Sequence, residues 1–241
     1  MTTLFLDIET LPADESSYGA LQYLYERKLY KSEKRNKKSS IIGSAIDFVE
    51  GVSEKVLEGS ISEGADSDKR AKDFEEYIRG TSFDGGFGRI LCIAYAIDND
   101  PTLVLCNPDD ERKTLQDFWA LVQDNRVGLY VGHNVMDFDL RFIYQRSVVL
   151  GVVPTVDLPF ARYRNNPIFA TMKEWSKWGQ NNIGLEHIAL ALGIPTPKEG
   201  IDGSQIFDFY KAGKVKEICD YCMRDVDTTR AVYKRMVFMN E

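Results

Sequence analysis

The segment Leu4-Phe5-Leu6-Asp7-Ile8-Glu9 opens the chain with a short, mostly apolar run that contains two carboxylates. Turn chemistry follows at Pro12, so the run predicts a buried β-strand. Alternate side chains of a strand point to one face, which places Asp7 and Glu9 side by side. Two like charges held together in a segment that favours burial are costly unless a cation neutralises them. The pair therefore indicates metal ligands rather than a purely structural acidic pair.

The same Asp-x-Glu spacing occurs at two other places, Asp73/Glu75 and Asp109/Glu111. Both of these pairs lie in charged stretches, where carboxylates are normally solvated. We therefore expect both to be exposed and to take no part in a site.

The order of the predicted elements indicates the fold class. Apolar runs predict strands at 89–96, 102–106 and 128–132, and helical spacing predicts helices at 18–30, 112–124, 184–193, 204–212 and 214–238, besides one that carries Leu140 and Phe142. This order points to an α/β fold with a mixed central sheet flanked by helices. We expect a single domain over 1–241, with a polar, charged insertion at about 31–80 that is partly helical and partly mobile.

The bulk composition restricts the classes of protein. A net charge of −7 argues against a protein that coats nucleic acid through its overall field, but allows an enzyme that grips a few nucleotides. No stretch approaches the roughly 20 apolar residues that span a bilayer, and the N-terminus has no basic signal-peptide region. We expect a soluble, intracellular protein of the cytoplasm that contacts no membrane.

The four cysteines are too few for a disulfide scaffold. Cys219 and Cys222 could form half of a zinc site, but zinc needs four ligands, and no second pair follows. We therefore expect these cysteines to pack in or beside a helix.

Two further carboxylates occupy positions that suit a site. Asp139 follows the strand predicted at 128–132, near the start of a helix, and ligand sites of α/β sheets gather at strand ends. Asp137 competes for this role, and we assign it the helix cap instead. Tyr221 and Asp225 are four residues apart on the last predicted helix, so they point the same way.

Together these segments resemble the three motifs of the DEDD superfamily of 3′–5′ exonucleases, which has a ribonuclease H-like fold. Leu6 to Thr10 looks like the first motif, Asn134 to Asp139 like the second, and Tyr221 to Asp225 like the third motif of the tyrosine subclass. The histidine subclass has His five residues before the last Asp, where this chain has Asp220. The resemblance is greatest to the proofreading exonuclease domain of family-B DNA polymerases and its stand-alone relatives, and spans nearly all of the chain outside 31–80.

The resemblance implies a centre with two divalent cations, Mg²⁺ or Mn²⁺, which prefer carboxylate oxygens. Asp7 would bridge both ions, Glu9 and Asp225 would hold the first, and Asp139 would hold or orient the second. Tyr221 would position the attacking water. For the substrate we expect contacts from Thr10, Leu11, Asn134, Phe138 and Lys198.

Two stretches have a composition that suits nucleic-acid binding. Residues 27–38 are rich in Lys and Arg and could hold phosphates, or form a solvated segment. A second stretch mixes cations with rings, as in sites that stack single-stranded bases, although half of its rings are expected in the core: Arg162, Tyr163, Arg164, Phe169, Trp175 and Trp178.

The sequence thus predicts a metal-dependent 3′–5′ exonuclease that acts on the 3′ end of single-stranded DNA and releases nucleoside monophosphates. One alternative is an exoribonuclease of the ribonuclease D type, which shares the tyrosine constellation. Because no helicase-and-RNase D C-terminal-like domain is seen, we favour DNA. Another alternative is an inactive nucleic-acid-binding module on the same fold. The sequence leaves the protein partners open.

Overall fold

A five-stranded mixed sheet forms the centre of the computed structural model, which describes residues 1–47, 63–180, 182–196 and 201–239. Its strands are β1 (Thr2–Leu11), β2 (Arg89–Ile97), β3 (Leu103–Cys106), β4 (Val127–Gly132) and β5 (Ile168–Ala170). They lie in the order β3-β2-β1-β4-β5. β1 runs antiparallel to β2 and parallel to β4, and β4 runs parallel to β5. The predicted α/β class with a mixed sheet is confirmed.

The helices follow the predicted order with one addition. They are α1 (Tyr18–Asp47), α2 (Glu63–Gly80), α3 (Glu111–Asp124), α4 (Asp139–Leu150), α5 (Thr171–Trp175), α6 (Leu185–Leu192), α7 (Ile206–Lys211) and α8 (Val215–Met236). The sequence did not predict α5 or the strand before it, because elements of five and three residues are too short to show a period. No helix within the described ranges is both long and apolar enough to cross a membrane.

The alternation along β1 decides what covers each face of the sheet. Leu4, Leu6 and Ile8 join a core cluster with residues of α3 and α4. Phe5 joins a second cluster with residues of β2 and α8. The odd-numbered positions of β1 therefore face α8, and this alternation carries Asp7 and Glu9 to the same side.

A buried ion pair links the start of α3 to α4. Arg146 donates from Nε and Nη2 to the two carboxylate oxygens of Glu111 at 2.9 and 2.8 Å. The Ile90 amide donates to the same carboxylate at 2.7 Å, and the two side chains are only 7% and 12% exposed. The prediction that Glu111 is solvated is wrong, because a cation 35 residues away in sequence neutralises it.

The chain divides into two compact units. One consists of Met1–Pro12 and Ser82–Glu241, and the other of Ala13–Thr81. In the second unit the ring of Tyr25 lies 5.4 Å from that of Phe74 and 5.3 Å from that of Tyr77. The segment predicted as a partly helical insertion is helical over 31–47 and 63–80. Residues 48–62 lie outside the described residues, so the mobile part and the single-domain organisation stay predictions.

Candidate active site

Asp7 and Glu9 lie on β1 opposite Ala94 and Cys92 of β2. Both side chains are half-buried under α8. Ligand atoms of Asp7, Glu9 and Cys222 all lie within 4.8 Å of one another. The strand therefore presents two carboxylates to one small space, as its alternation predicts.

Asp139 is the first residue of α4 and reaches β1 from there. It is 3% exposed, and its Oδ1 accepts a hydrogen bond from the Ile8 amide at 3.2 Å. That amide lies between Asp7 and Glu9, so the carboxylate is fixed beside both.

Asp137 does not cap α4, which corrects the prediction from sequence. Phe138 occupies the cap position and contributes no side-chain bond. The Asp137 carboxylate instead contacts Lys173 Nζ at 3.0 Å and Arg141 Nη2 at 3.5 Å. Ion pairs with two cations stabilise this carboxylate, so it pairs with Lys173 and Arg141 instead of capping α4.

Tyr221 and Asp225 approach the same space from α8. The Tyr221 hydroxyl donates a hydrogen bond to Asp225, as expected for residues one helical turn apart. Asp225 lies close enough to Asp7, Glu9 and Asp139 to interact electrostatically with each of them. The structure thus brings the four predicted carboxylates and Tyr221 together from β1, α4 and α8.

The electrostatics of this carboxylate cluster are unfavourable without a cation. Burial first, and then the Cys222 thiol and the other carboxylates, raise the pKa of Asp7 well above its ordinary value. Burial and the charge of Asp225 do the same for the pKa of Glu9, and burial raises the pKa of Asp139 to about 7. Within the described part of the chain, no Lys or Arg forms an ion pair with these three acids. A set of oxygen donors carrying excess negative charge fits hard divalent cations.

Cys222 belongs to this space, although sequence reasoning assigned it only to packing. Its thiol donates to the Asp7 carbonyl at 3.4 Å and to Asp7 Oδ2 at 3.5 Å. Burial raises the pKa of the thiol, which keeps it neutral beside the acids. Its position, one residue after Tyr221 and three before Asp225, was the signal that could have indicated it.

Both ring nitrogens of His133 form hydrogen bonds within the fold. Its Nδ1 lies 3.0 Å from Thr171 Oγ1, and its Nε2 lies 2.9 Å from the Ile183 carbonyl. Burial lowers its pKa to about 4. The ring is therefore neutral at neutral pH, and its two nitrogens tie the loop before Asp139 to Thr171 and Ile183.

Two of the predicted substrate contacts are engaged within the fold. The Thr10 hydroxyl donates to the Ser82 carbonyl at 2.7 Å. The Leu11 side chain is 1% exposed and packs in a core cluster with Tyr221. Any contact of Leu11 with a nucleotide must therefore use its backbone. Lys198 lies outside the described residues.

Phe138 and Asn134 are partly accessible to solvent. Both are half-buried in the segment between β4 and α4. The Phe138 ring lies 6.2 Å from the ring of Phe83, which is 77% exposed. No sequence pattern pointed to Phe83, because nothing in its local stretch shows that the fold brings it to Phe138.

Comparison with known proteins agrees with this architecture. Residues 89–241 match the model of a family described as a predicted 3′-5′ exonuclease related to the exonuclease domain of PolB. The match contains Asp139, Tyr221 and Asp225, whereas Asp7 and Glu9 precede it. None of the curated proteins compared with the chain matches it.

Among solved structures, the fold is similar to that of the family B DNA polymerase from the hyperthermophilic archaeon Pyrobaculum calidifontis. The TM-score is 0.56 at 17% sequence identity, over 64% of this chain and 22% of the polymerase. This likeness shows a shared fold, and this chain spans about a fifth of the polymerase. On the family match, the chain belongs to the family of predicted 3′–5′ exonucleases related to the exonuclease domain of PolB, within the DEDD superfamily.

Proposed function

We propose that the chain is a divalent-metal-dependent 3′–5′ exonuclease that removes nucleoside monophosphates from the 3′ end of single-stranded DNA. The observation that supports this most is the convergence of Asp7, Glu9, Asp139 and Asp225. Burial and the charge of Asp225 raise the pKa values of Asp7, Glu9 and Asp139, so the ionised cluster is costly unless cations bind there.

The four carboxylates would hold two Mg²⁺ or Mn²⁺ ions. Such ions supply an activated water at neutral pH and stabilise the attacking and leaving oxygens of a phosphodiester. The burial of Asp139 and its bond to the Ile8 amide fix one side of the cluster before substrate arrives. The protein thereby contributes preorganisation, which lowers the cost of reaching the reactive geometry.

Tyr221 would orient the attacking water by hydrogen bonding. Burial, together with the charges of Asp225 and Glu9, raises the pKa of its phenol above the ordinary value. The hydroxyl is therefore protonated at neutral pH and serves as a donor held in place by Asp225. Phe138 and the neighbouring Phe83 ring would pack against the terminal base, because aromatic rings stack bases without regard to sequence.

The experiment is digestion of 5′-labelled single-stranded DNA and RNA of the same sequence, side by side, in Mg²⁺ and in Mn²⁺. We expect a ladder that shortens from the 3′ end of DNA. Asp7→Ala should lower the rate by at least about a thousandfold, because catalysis by bound metal is lost. Asp227→Ala is the control, since Asp227 lies on α8 two residues after Asp225 but pairs with Arg230 at 2.7 Å.

The other possible results of this digestion would each change a different part of the proposal. Faster shortening of RNA would replace DNA by RNA as the substrate. Stepwise shortening that survives Asp7→Ala would refute the metal assignment. If neither polymer is shortened although metal binding is shown separately, the chain is an inactive binding module.

A further inference from the structure

A second aromatic feature lies outside the carboxylate cluster. It is an open cavity of about 460 Å³ lined by Tyr163, Arg164, Asn165, Asn166, Glu174 and Trp178. These residues lie before β5, within α5 and just after α5, and β5 and α5 are the two short elements that the sequence did not predict.

The two rings of the cavity differ in how firmly they are held. Trp178 packs against the main core cluster, and its Nε1 donates to Glu174 Oε1 at 3.2 Å. Tyr163 is 76% exposed. The ring centroids are 5.2 Å apart with planes inclined at 49°, so the rings diverge rather than stack on each other. The two rings therefore contact each other at an angle, and the exposed Tyr163 ring, backed by the anchored Trp178, offers a surface in the open cavity on which a flat group can stack.

The backbone that presents these rings is in an uncommon conformation. Tyr163 and Trp178 both have φ of 63°, and Lys177 has φ of 47°. Side chains other than glycine adopt this left-handed region at a cost, and such residues cluster at binding and catalytic sites. This backbone strain does not bring the Tyr163 ring into the core, because the ring is exposed to solvent.

The charge around the cavity is positive, in contrast to the chain's net charge of −7. Arg162, Arg164 and Lys177 are all exposed around it. The carboxylate of the lining, Glu174, is engaged by the Trp178 indole and by Lys177 Nζ at 3.2 Å. Rings for bases combined with cations for phosphates are the means by which proteins bind single strands.

The cavity is connected to the carboxylate cluster through α5. The Met172 amide donates to the His133 carbonyl at 3.1 Å, and Lys173 Nζ lies 3.0 Å from Asp137. His133 and Asp137 belong to the segment that leads to Asp139. The cavity is therefore joined through α5 to the segment that ends at the candidate metal ligand Asp139.

We propose that the Tyr163–Trp178 cleft stacks a base of the single strand on the 5′ side of the nucleotide being removed. This rests on the proposed function, because the 3′ end must lie at the carboxylate cluster. Tyr163 stacks on one face of the base, Trp178 provides the rigid wall, and Arg164 contacts the adjoining phosphate. The cleft recognises a π face, so it is indifferent to base identity.

The test is the dissociation constant of 5′-fluorescein-labelled oligothymidylates of roughly 2 to 12 nucleotides, measured by anisotropy in EDTA. Tyr163→Ala should raise the Kd of the longest strand about tenfold, the effect of losing one stacking partner. Tyr163→Phe should bind as the wild type does, because stacking needs the ring and not the hydroxyl. The dinucleotide should bind both variants and the wild type equally, since it reaches only the 3′-end site.

Tyr144→Ala is the control, because its ring is also exposed but lies on α4, outside the cavity. Arg164→Ala should weaken the binding of long strands and flatten its salt dependence. An unchanged Kd for Tyr163→Ala at every length, equal loss for the dinucleotide, or no binding of any strand by the wild type would each overturn the proposal. Because EDTA prevents hydrolysis, failure of the exonuclease proposal would appear separately, as intact strands in Mg²⁺ or Mn²⁺ with length-dependent binding retained.

Discussion

Tyr221 shows how the surroundings of one residue restrict the chemistry open to it. Burial and the charges of Asp225 and Glu9 all disfavour its phenolate. A general base must be deprotonated near the working pH, so this phenol acts as a hydrogen-bond donor.

Replacing Tyr221 by Phe should therefore lower the exonuclease rate by about 10- to 100-fold, the value of one hydrogen bond in a charged site. The rate should keep its dependence on pH between 6 and 8, and Mn²⁺ affinity should stay the same. Single-turnover digestion across that pH range is the measurement. Tyr233→Phe is the control, since Tyr233 lies on the same helix but packs against Phe5 and Phe169. A rate that loses its pH dependence in Tyr221→Phe would show instead that the phenol titrates.

For single residues, the sequence predicts the placement of those side chains whose position depends on local geometry. Asp7 and Glu9 follow from strand alternation, and Tyr221 and Asp225 from helical spacing. Phe83 was missed because its contact with Phe138 is long-range, and Cys222 was missed although its spacing from Asp225 places both on one side of α8. Leu11 was predicted to contact the substrate, yet its side chain is buried, because its burial depends on contacts across the fold.

Among the elements, α3 and α4 are held together by the Glu111–Arg146 pair. Arg146 also lies 3.5 and 3.4 Å from the carbonyls of Gly85 and Gly86. Removing one partner of a buried pair leaves the other charge without compensation, which costs far more than a surface pair contributes.

Arg146→Ala should lower the free energy of unfolding by about 3–5 kcal/mol, as measured by urea denaturation. Lys113→Ala is the comparison within α3, because Lys113 pairs with Asp117 on the surface and should cost less than about 1 kcal/mol. Equal, small losses for the two variants would contradict a structural role for the buried pair.

Long periodic elements could be predicted, and short ones could not. The helices α3, α6 and α8 were predicted close to their observed bounds because apolar spacing persists over several turns. β5 and α5 depend on pairing with β4 and on contacts with the His133 segment. These contacts are long-range, and they also create the Tyr163–Trp178 cleft.

For the whole molecule, the carboxylate cluster joins the two ends of the chain, since β1 and α8 meet at it. The raised pKa of Asp139 makes the metal-free fold sensitive to pH. Its ordinary value is 3.8 and its folded value about 7. Because the fold favours the neutral carboxyl, the contribution of Asp139 to stability is fully present below the ordinary pKa of 3.8. It is lost as the pH rises through the folded pKa of about 7.

Asp139→Asn should therefore be more stable than the wild type at pH 8 in EDTA, by about 1–3 kcal/mol, and similar to it at pH 4. Thermal unfolding at both pH values measures this. The exposed neighbour Asp137→Asn should not become more stable at pH 8. Equal stability of the metal-free wild type and Asp139→Asn at pH 8 would show that the ionised Asp139 carboxylate does not destabilise the fold.

Asp7, Glu9, Asp139 and Asp225 are proposed to hold a pair of divalent cations. The most direct measurement is anomalous scattering from crystals of the protein grown with Mn²⁺. We expect two manganese peaks roughly 3.5–4 Å apart, surrounded by these four carboxylates, with Asp7 contacting both. Crystals that show no manganese among the four carboxylates, or manganese bound only elsewhere, would contradict the account.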